Sequence, residues 1–192
     1  MQLFLSSGKS TPPQKYLDHR SEIKNGDLLL YRGSSLVSRG IQYFDKAYYN
    51  HIGVVWIPEN SGRVLTLDMW SGGLTCLPLS RRMSGYNDFC ILRPKVDASI
   101  SFEAVKSVLG MWDGRSVNYD FGLLLRFIII KKTGIDITGL SEKGTYICSQ
   151  FAQYYCQLLG INIFDGIDMI TPQDFLRKMD LNFFDVLLQE NK

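Results

Sequence analysis

Between Asn25 and Pro94 the chain is cut into short apolar runs by turn-forming residues, and this punctuation constrains the fold most. Asn25-Gly26-Asp27 precedes the run 28–31, and Pro58-Glu59-Asn60-Ser61-Gly62 separates 51–57 from 63–70. Ser71-Gly72-Gly73 leads into 74–79, and 88–93 ends at Pro94. Runs of this length bounded by Gly, Pro and Asn read as strands, and their short connections make a meander of antiparallel neighbours. The second half has a different period. Phe102, Val105, Val108, Leu109 and Trp112 recur at helical spacing after Ser101, a residue suited to an N-cap. Residues 119–132 read as a helix or partly as loop, and Thr171-Pro172 opens another helix with Thr as cap and Pro first. A short helix is expected over 34–49, with Leu36, Val37, Ile41 and Phe44 on one side, and the tail 181–188 returns as a strand. Strands first and helices later give an α+β class. At 192 residues one core is expected: an N-terminal arm over 1–24, then a single domain over 25–192.

Charge and pattern exclude several functions. The net charge is +2 with the basic residues scattered, so nucleic-acid binding is not indicated. The N-terminus lacks the basic start and long apolar stretch of a signal peptide. The longest apolar run, 121–130, is broken by Arg126 and is too short to span a bilayer. That run, followed by Lys131-Lys132, fits a buried helix with a basic end. It also fits the border of a lipid-binding cleft with peripheral membrane contact. Cys76, Cys90, Cys148 and Cys156 have neither disulfide-framework nor paired zinc spacing, and a soluble, reduced, cytoplasmic protein is expected.

Cys148 has the most chemically loaded position. It opens a helical pattern continued by Phe151, Ala152, Tyr155, Leu158 and Leu159 and stopped by Gly160, just after the Gly144 loop. A first-turn thiol meets the positive end of the helix dipole and N–H groups without intrahelical partners. Both favour a thiolate, and the same groups can donate to an oxyanion. Buried cysteines are also ordinary core fillers, as Cys90 and Cys156 are read to be. A cysteine nucleophile needs a base, and only His19 and His51 are available. His19 lies in a polar stretch that reads as solvated. His51 begins a strand, and pairing through the 58–62 loop would bring Asp68 near its level, where a carboxylate could orient the ring. Taken alone, His51 also fits a strand-end histidine and Asp68 a solvent-facing aspartate.

Seven segments then match one pattern in order: Asn25-Gly26-Asp27-Leu28-Leu29, Asn50-His51-Ile52-Gly53-Val54-Val55, Leu67-Asp68-Met69, Ile91-Leu92-Arg93-Pro94, Asn118-Tyr119-Asp120-Phe121, Tyr146-Ile147-Cys148-Ser149-Gln150 and Thr171-Pro172-Gln173-Asp174. The chain resembles the circularly permuted papain-like cysteine hydrolases of the NlpC superfamily, most closely the YiiX-like branch, in which histidine precedes cysteine. Asp68 stands where glutamate is common, Asn50 replaces a serine and Gln150 a glutamate. The resemblance implies a small antiparallel sheet or partial barrel packed on the cysteine helix. It also implies Cys148 as nucleophile, His51 as base and Asp68 as its orienter. Tyr31, Tyr119 or Ser149 are implied near the oxyanion or substrate, and no metal or other cofactor is implied. Relatives act on amide or isopeptide bonds or on lipid acyl groups, so an amidase or peptidase is expected first and a lipid acyl hydrolase or transferase second. A non-catalytic binding module on the same fold is the reading from another class.

Overall fold

The computed structural model describes residues 14–33, 42–43, 46–70, 72–84, 88–110, 118–136, 145–167, 169–177 and 182–188. The helix expected over 34–49 and the Gly144 loop fall largely outside these residues.

Six of the apolar runs make one antiparallel sheet. Its strands are β1 (Leu28–Tyr31), β2 (His51–Trp56), β3 (Leu65–Trp70), β4 (Gly73–Pro78), β5 (Phe89–Pro94) and, from the tail, β8 (Phe184–Leu188). They lie in the order β4-β3-β2-β1-β5-β8, an open sheet rather than the partial barrel also considered. A separate parallel pair joins β6 (Asn118–Tyr119) to β7 (Thr145–Tyr146). Central strands are covered on both faces and tolerate continuous apolar sequence. All four residues of β1 are accordingly buried.

Strand alternation divides the core in two. On one face Leu28, Leu30, Ile52, Val54, Leu67 and Met69 pack beneath α3 (Ala98–Gly110) and α5 (Cys148–Leu158). On the other, Leu29, Tyr31, Val55 and Phe89 meet α1 (Gln14–His19), through Tyr16, and α2 (Leu79–Met83). Residues 14–22, the described start of the arm, are thus helical and in part buried. Phe151 and Tyr155 of α5 lose nearly all their exposure, each stabilising the fold by about 1.5–3 kcal/mol. Of residues 119–132, read as helix or partly loop, those from 121 on form the continuous helix α4 (Phe121–Thr133), and α6 (Pro172–Arg177) starts after Thr171 as expected.

One polar tie fixes the cysteine helix to the sheet, and a second locks the turn beneath it. The Tyr155 hydroxyl donates to the Gly26 carbonyl at 2.9 Å, and Gly26 takes φ +83° in the turn before β1. A Cβ there would run into Ser101 Oγ and the Tyr155 hydroxyl, so the turn requires glycine on both counts. Asp27 next to it accepts Arg93 Nε and an Nη at 2.8 Å each, locking β1 to β5.

Candidate active site

Cys148 is the first residue of α5, with the extended Ile147 as its N-cap. An isoleucine side chain cannot accept a capping bond, so Gln150 compensates: its Oε1 accepts the Ile147 N–H at 3.2 Å. Gln150, which departs from the glutamate of the resembled motif, therefore works as half of a capping box. The Ser149 hydroxyl donates to the Ile170 carbonyl at 2.6 Å and anchors the same turn to the segment before α6. Cys148 is 4% exposed. Burial pushes its thiol up to about 12, while N–H groups of Ile52, Ser149 and Cys148 itself face the sulfur and pull the other way. Desolvation outweighs the helix-terminal donors, and the resting group is a thiol.

The Ile52 contact comes from the end of a ladder. Pairing of β2 with β3 runs from Trp56↔Leu65 to Gly53↔Asp68 and stops short of Ile52. There the Cys148 sulfur meets the main chain of β2. His51 is the preceding residue. Its ring leaves β2 on the opposite face, directly across from Tyr31, with ring centroids 4.7 Å apart, and it stacks on Trp70 at 4.4 Å and 22°. Ring and thiol thus approach β2 from its two sides, at the one level where β2 and β3 have parted. No hydrogen bond joins them.

Asp68 projects on the His51 side, over the paired Gly53. Its Oδ1 stands 3.9 Å from His51 Nε2, a buried nitrogen with no hydrogen-bond partner. Thr66 Oγ1 and the Tyr31 hydroxyl donate to the same oxygen at 3.1 and 3.4 Å, and Arg82 Nε donates to Oδ2 at 2.9 Å. Arg82 also bonds Thr75 Oγ1 at 3.2 Å and lies 4.8 Å over the Trp70 ring, joining the carboxylate to the indole that stacks on His51. Burial raises the Asp68 carboxyl from its ordinary range, opposed first by Arg82. With Nε2 turned toward Asp68, Nδ1 is the ring nitrogen left for another group.

The segment entering β2 is pinned as well. Gln173 Oε1 accepts the Tyr48 and Tyr49 N–H groups at 3.0 Å each, and the Asn50 side chain exchanges two bonds with the Gly33 backbone. Asn50, in place of serine, is a strand-end clamp.

The structure therefore brings His51, Asp68 and Tyr31 together and sets Cys148 against the residue next to His51. Tyr31 faces Asp68, Ser149 is committed to Ile170, and the Tyr119 side chain lies outside the described residues. Arg82 and Trp70 were missed by the sequence reading. The available signal was Asp68 itself, since a carboxylate among apolar neighbours needs a partner.

Two measurable consequences arise here. A Cβ on Gly53 would lie 2.0 Å from Asp68 Oδ1 and 2.8 Å from Thr66 Oγ1. Arg82 holds the carboxylate, so Gly53→Ala should cost about 1–3 kcal/mol in urea denaturation; an unchanged midpoint would contradict this packing. His51 gives the second. Burial first, and the nearby Arg82 charge second, lower its ring from 6.5 to about 3. The folded ring stays neutral while the unfolded one gains a proton below pH 6.5, so stability falls as pH drops through that window. Between pH 6.5 and 4.5 the loss should reach roughly 2 kcal/mol, and His51→Gln should remove it. Parallel pH profiles for the two proteins would refute the buried, neutral ring.

No family model matches the chain, and no curated protein matches it. Among solved structures its fold is similar to that of the metalloprotein YiiX from Escherichia coli O157:H7. The TM-score is 0.58 at 12% identity, over 88% of this chain and 98% of that one. The chain has a YiiX-like α+β fold. Among the described residues no three His, Cys, Asp or Glu side chains come together, and Asp68 already faces a guanidinium. These residues do not fit a metal centre, and no step below runs through one.

Proposed function

We propose that this chain is a cysteine hydrolase of permuted papain-like, NlpC-type architecture, acting on an amide or isopeptide bond. The observation that carries the reading is a coincidence of place: His51 Nε2 faces Asp68 Oδ1 at 3.9 Å, while Cys148 sulfur meets the N–H of the next residue, Ile52. Asp68 leaves Nδ1 unengaged, and in this reading the imidazole reaches past the open end of the β2–β3 ladder to the thiol, which approaches β2 from the other side.

Because thiol and ring are both neutral at rest, attack and proton transfer go together. The Cys148 sulfur bonds to the substrate carbonyl carbon as its proton passes to His51, and Asp68 steadies the imidazolium. The carbonyl oxygen, now an oxyanion, takes the backbone N–H of Cys148. Collapse breaks the C–N bond, the amine leaves with the proton from His51, and a thioester remains. Water, deprotonated by the same ring, adds to the thioester and releases the acid and the thiol. Tyr31 in this scheme orients Asp68.

A lipid acyl hydrolase using the same three residues is the second reading, favoured by the exposed aliphatic helix described below. A panel of peptide amides, isopeptides and lipid esters, assayed with wild type and Cys148→Ala, separates the readings. Cys148-dependent release of amine supports the first, and of fatty acid the second. Silence across the panel, with substrates still bound, would leave a binding module.

A further inference from the structure

Helix α4 is apolar on more than one side, and part of its apolar surface faces water. Eight of its 13 residues are aliphatic or aromatic, and it carries Arg126, Lys131 and Lys132 with no acid. The spacing i, i+3, i+4, i+7 puts Leu125, Ile128, Ile129 and Lys132 on one face. Leu125 is 51% exposed and Ile128 and Ile129 beside it are half-buried, whereas Leu123, on the far side, is 3% exposed. A surface helix normally turns its apolar stripe inward and its polar face outward. Ile135, just past the left-handed Gly134 cap, is 63% exposed and extends the apolar surface.

We infer that α4 is an interfacial helix that lays its Leu125–Ile128–Ile129 face into the surface of an anionic lipid bilayer. Length and charge choose this occupant. At about 20 Å the helix is too short to cross a hydrocarbon core of about 30 Å, but it suits the interface plane. No helix among the described residues is long and apolar enough to span. Lys132, exposed, continues the aliphatic face. An aliphatic face ending in a cation, with no acid in the helix, matches acyl chains under anionic headgroups. Arg126 is occupied elsewhere, by Asp136 at 2.6 and 2.7 Å.

The helix is also tied to the cysteine segment. Its N-cap Asp120 accepts the Leu123 N–H at 2.7 Å and donates its own N–H to the Tyr146 carbonyl, two residues before Cys148. A bilayer under α4 therefore lies beside the chain that enters α5. This inference does not rest on the hydrolase reading.

The test is co-sedimentation of the full chain with phosphatidylcholine vesicles, with and without a phosphatidylglycerol fraction. Wild type should partition onto the anionic vesicles and come off with salt. Leu125→Asp should lower partitioning at least about tenfold and Lys132→Glu about fivefold, with thermal unfolding unchanged because both side chains are exposed. Binding that ignores the anionic lipid, or variants that bind like wild type, would overturn the inference. So would self-association in sedimentation velocity abolished by Leu125→Asp, which would make the face a contact between copies of this chain. None of these results depends on turnover, so failure here leaves the catalytic reading to its own test.

Discussion

Cys148→Ala should lower kcat/KM on any substrate this protein turns over by about 10⁴-fold or more while leaving the fold intact. The expectation is large because in the proposed mechanism sulfur forms the bond to the acyl carbon, and the neighbouring Ser149 hydroxyl, held by the Ile170 carbonyl, is not free to replace it. The structural cost is small. Alanine suits a helix start, and α5 keeps its ties through Phe151, Gln150 and Tyr155, so a loss of about 1 kcal/mol is expected from the emptied thiol space. Residual activity within tenfold of wild type would remove Cys148 from the chemistry.

Arg82→Met should be the most destabilising change at the site, at about 3–5 kcal/mol. Asp68 is fully buried, and Arg82 is its only cationic partner among the described residues. Without the guanidinium, the carboxylate keeps the Thr66 and Tyr31 hydroxyls but no counter-charge. Removing both charges, in Arg82→Met with Asp68→Asn, should recover much of the loss, because a buried pair is worth little against neutral groups of similar shape. The pH dependence gives an independent check. In Arg82→Met the carboxyl is raised further above its unfolded value, and its penalty is present above the folded pKa. The penalty is relieved as pH falls through that pKa, so the deficit relative to wild type should shrink in acid. Urea denaturation of wild type and the two variants at neutral and acidic pH measures both effects. A deficit under 1 kcal/mol would mean that Arg82 does not hold Asp68 in solution.

Much of this site was legible in the sequence, because strand punctuation and helix periodicity are local signals. The Pro58–Gly62 loop implied that Asp68 would come near His51. The ladder pairs it with Gly53 instead, because the connection runs from residue 57 to 64, longer than the turn residues alone suggested. Strand alternation still returns Asp68 to the face of His51. Arg82 was not legible. It sits in α2, only five residues long, too short to declare a helical period, and residue 79 reads as the end of the preceding strand. The thiol was misjudged for a related reason. Helix-start donors can be read from spacing, whereas burial depends on Ile52 and the β2–β3 opening, which no local pattern announces. Burial outweighs those donors, so Cys148 and His51 each rest neutral rather than as thiolate and imidazolium.

The most direct test of the central claim is to follow acyl transfer from p-nitrophenyl acetate to the protein by intact mass and peptide mapping, in wild type, His51→Ala and Asp68→Asn. Acetylation confined to Cys148, slowed about 10²–10⁴-fold without His51 and less without Asp68, is the predicted result. Acetylation of Cys148 no faster than of Cys76, or indifferent to His51, would contradict it.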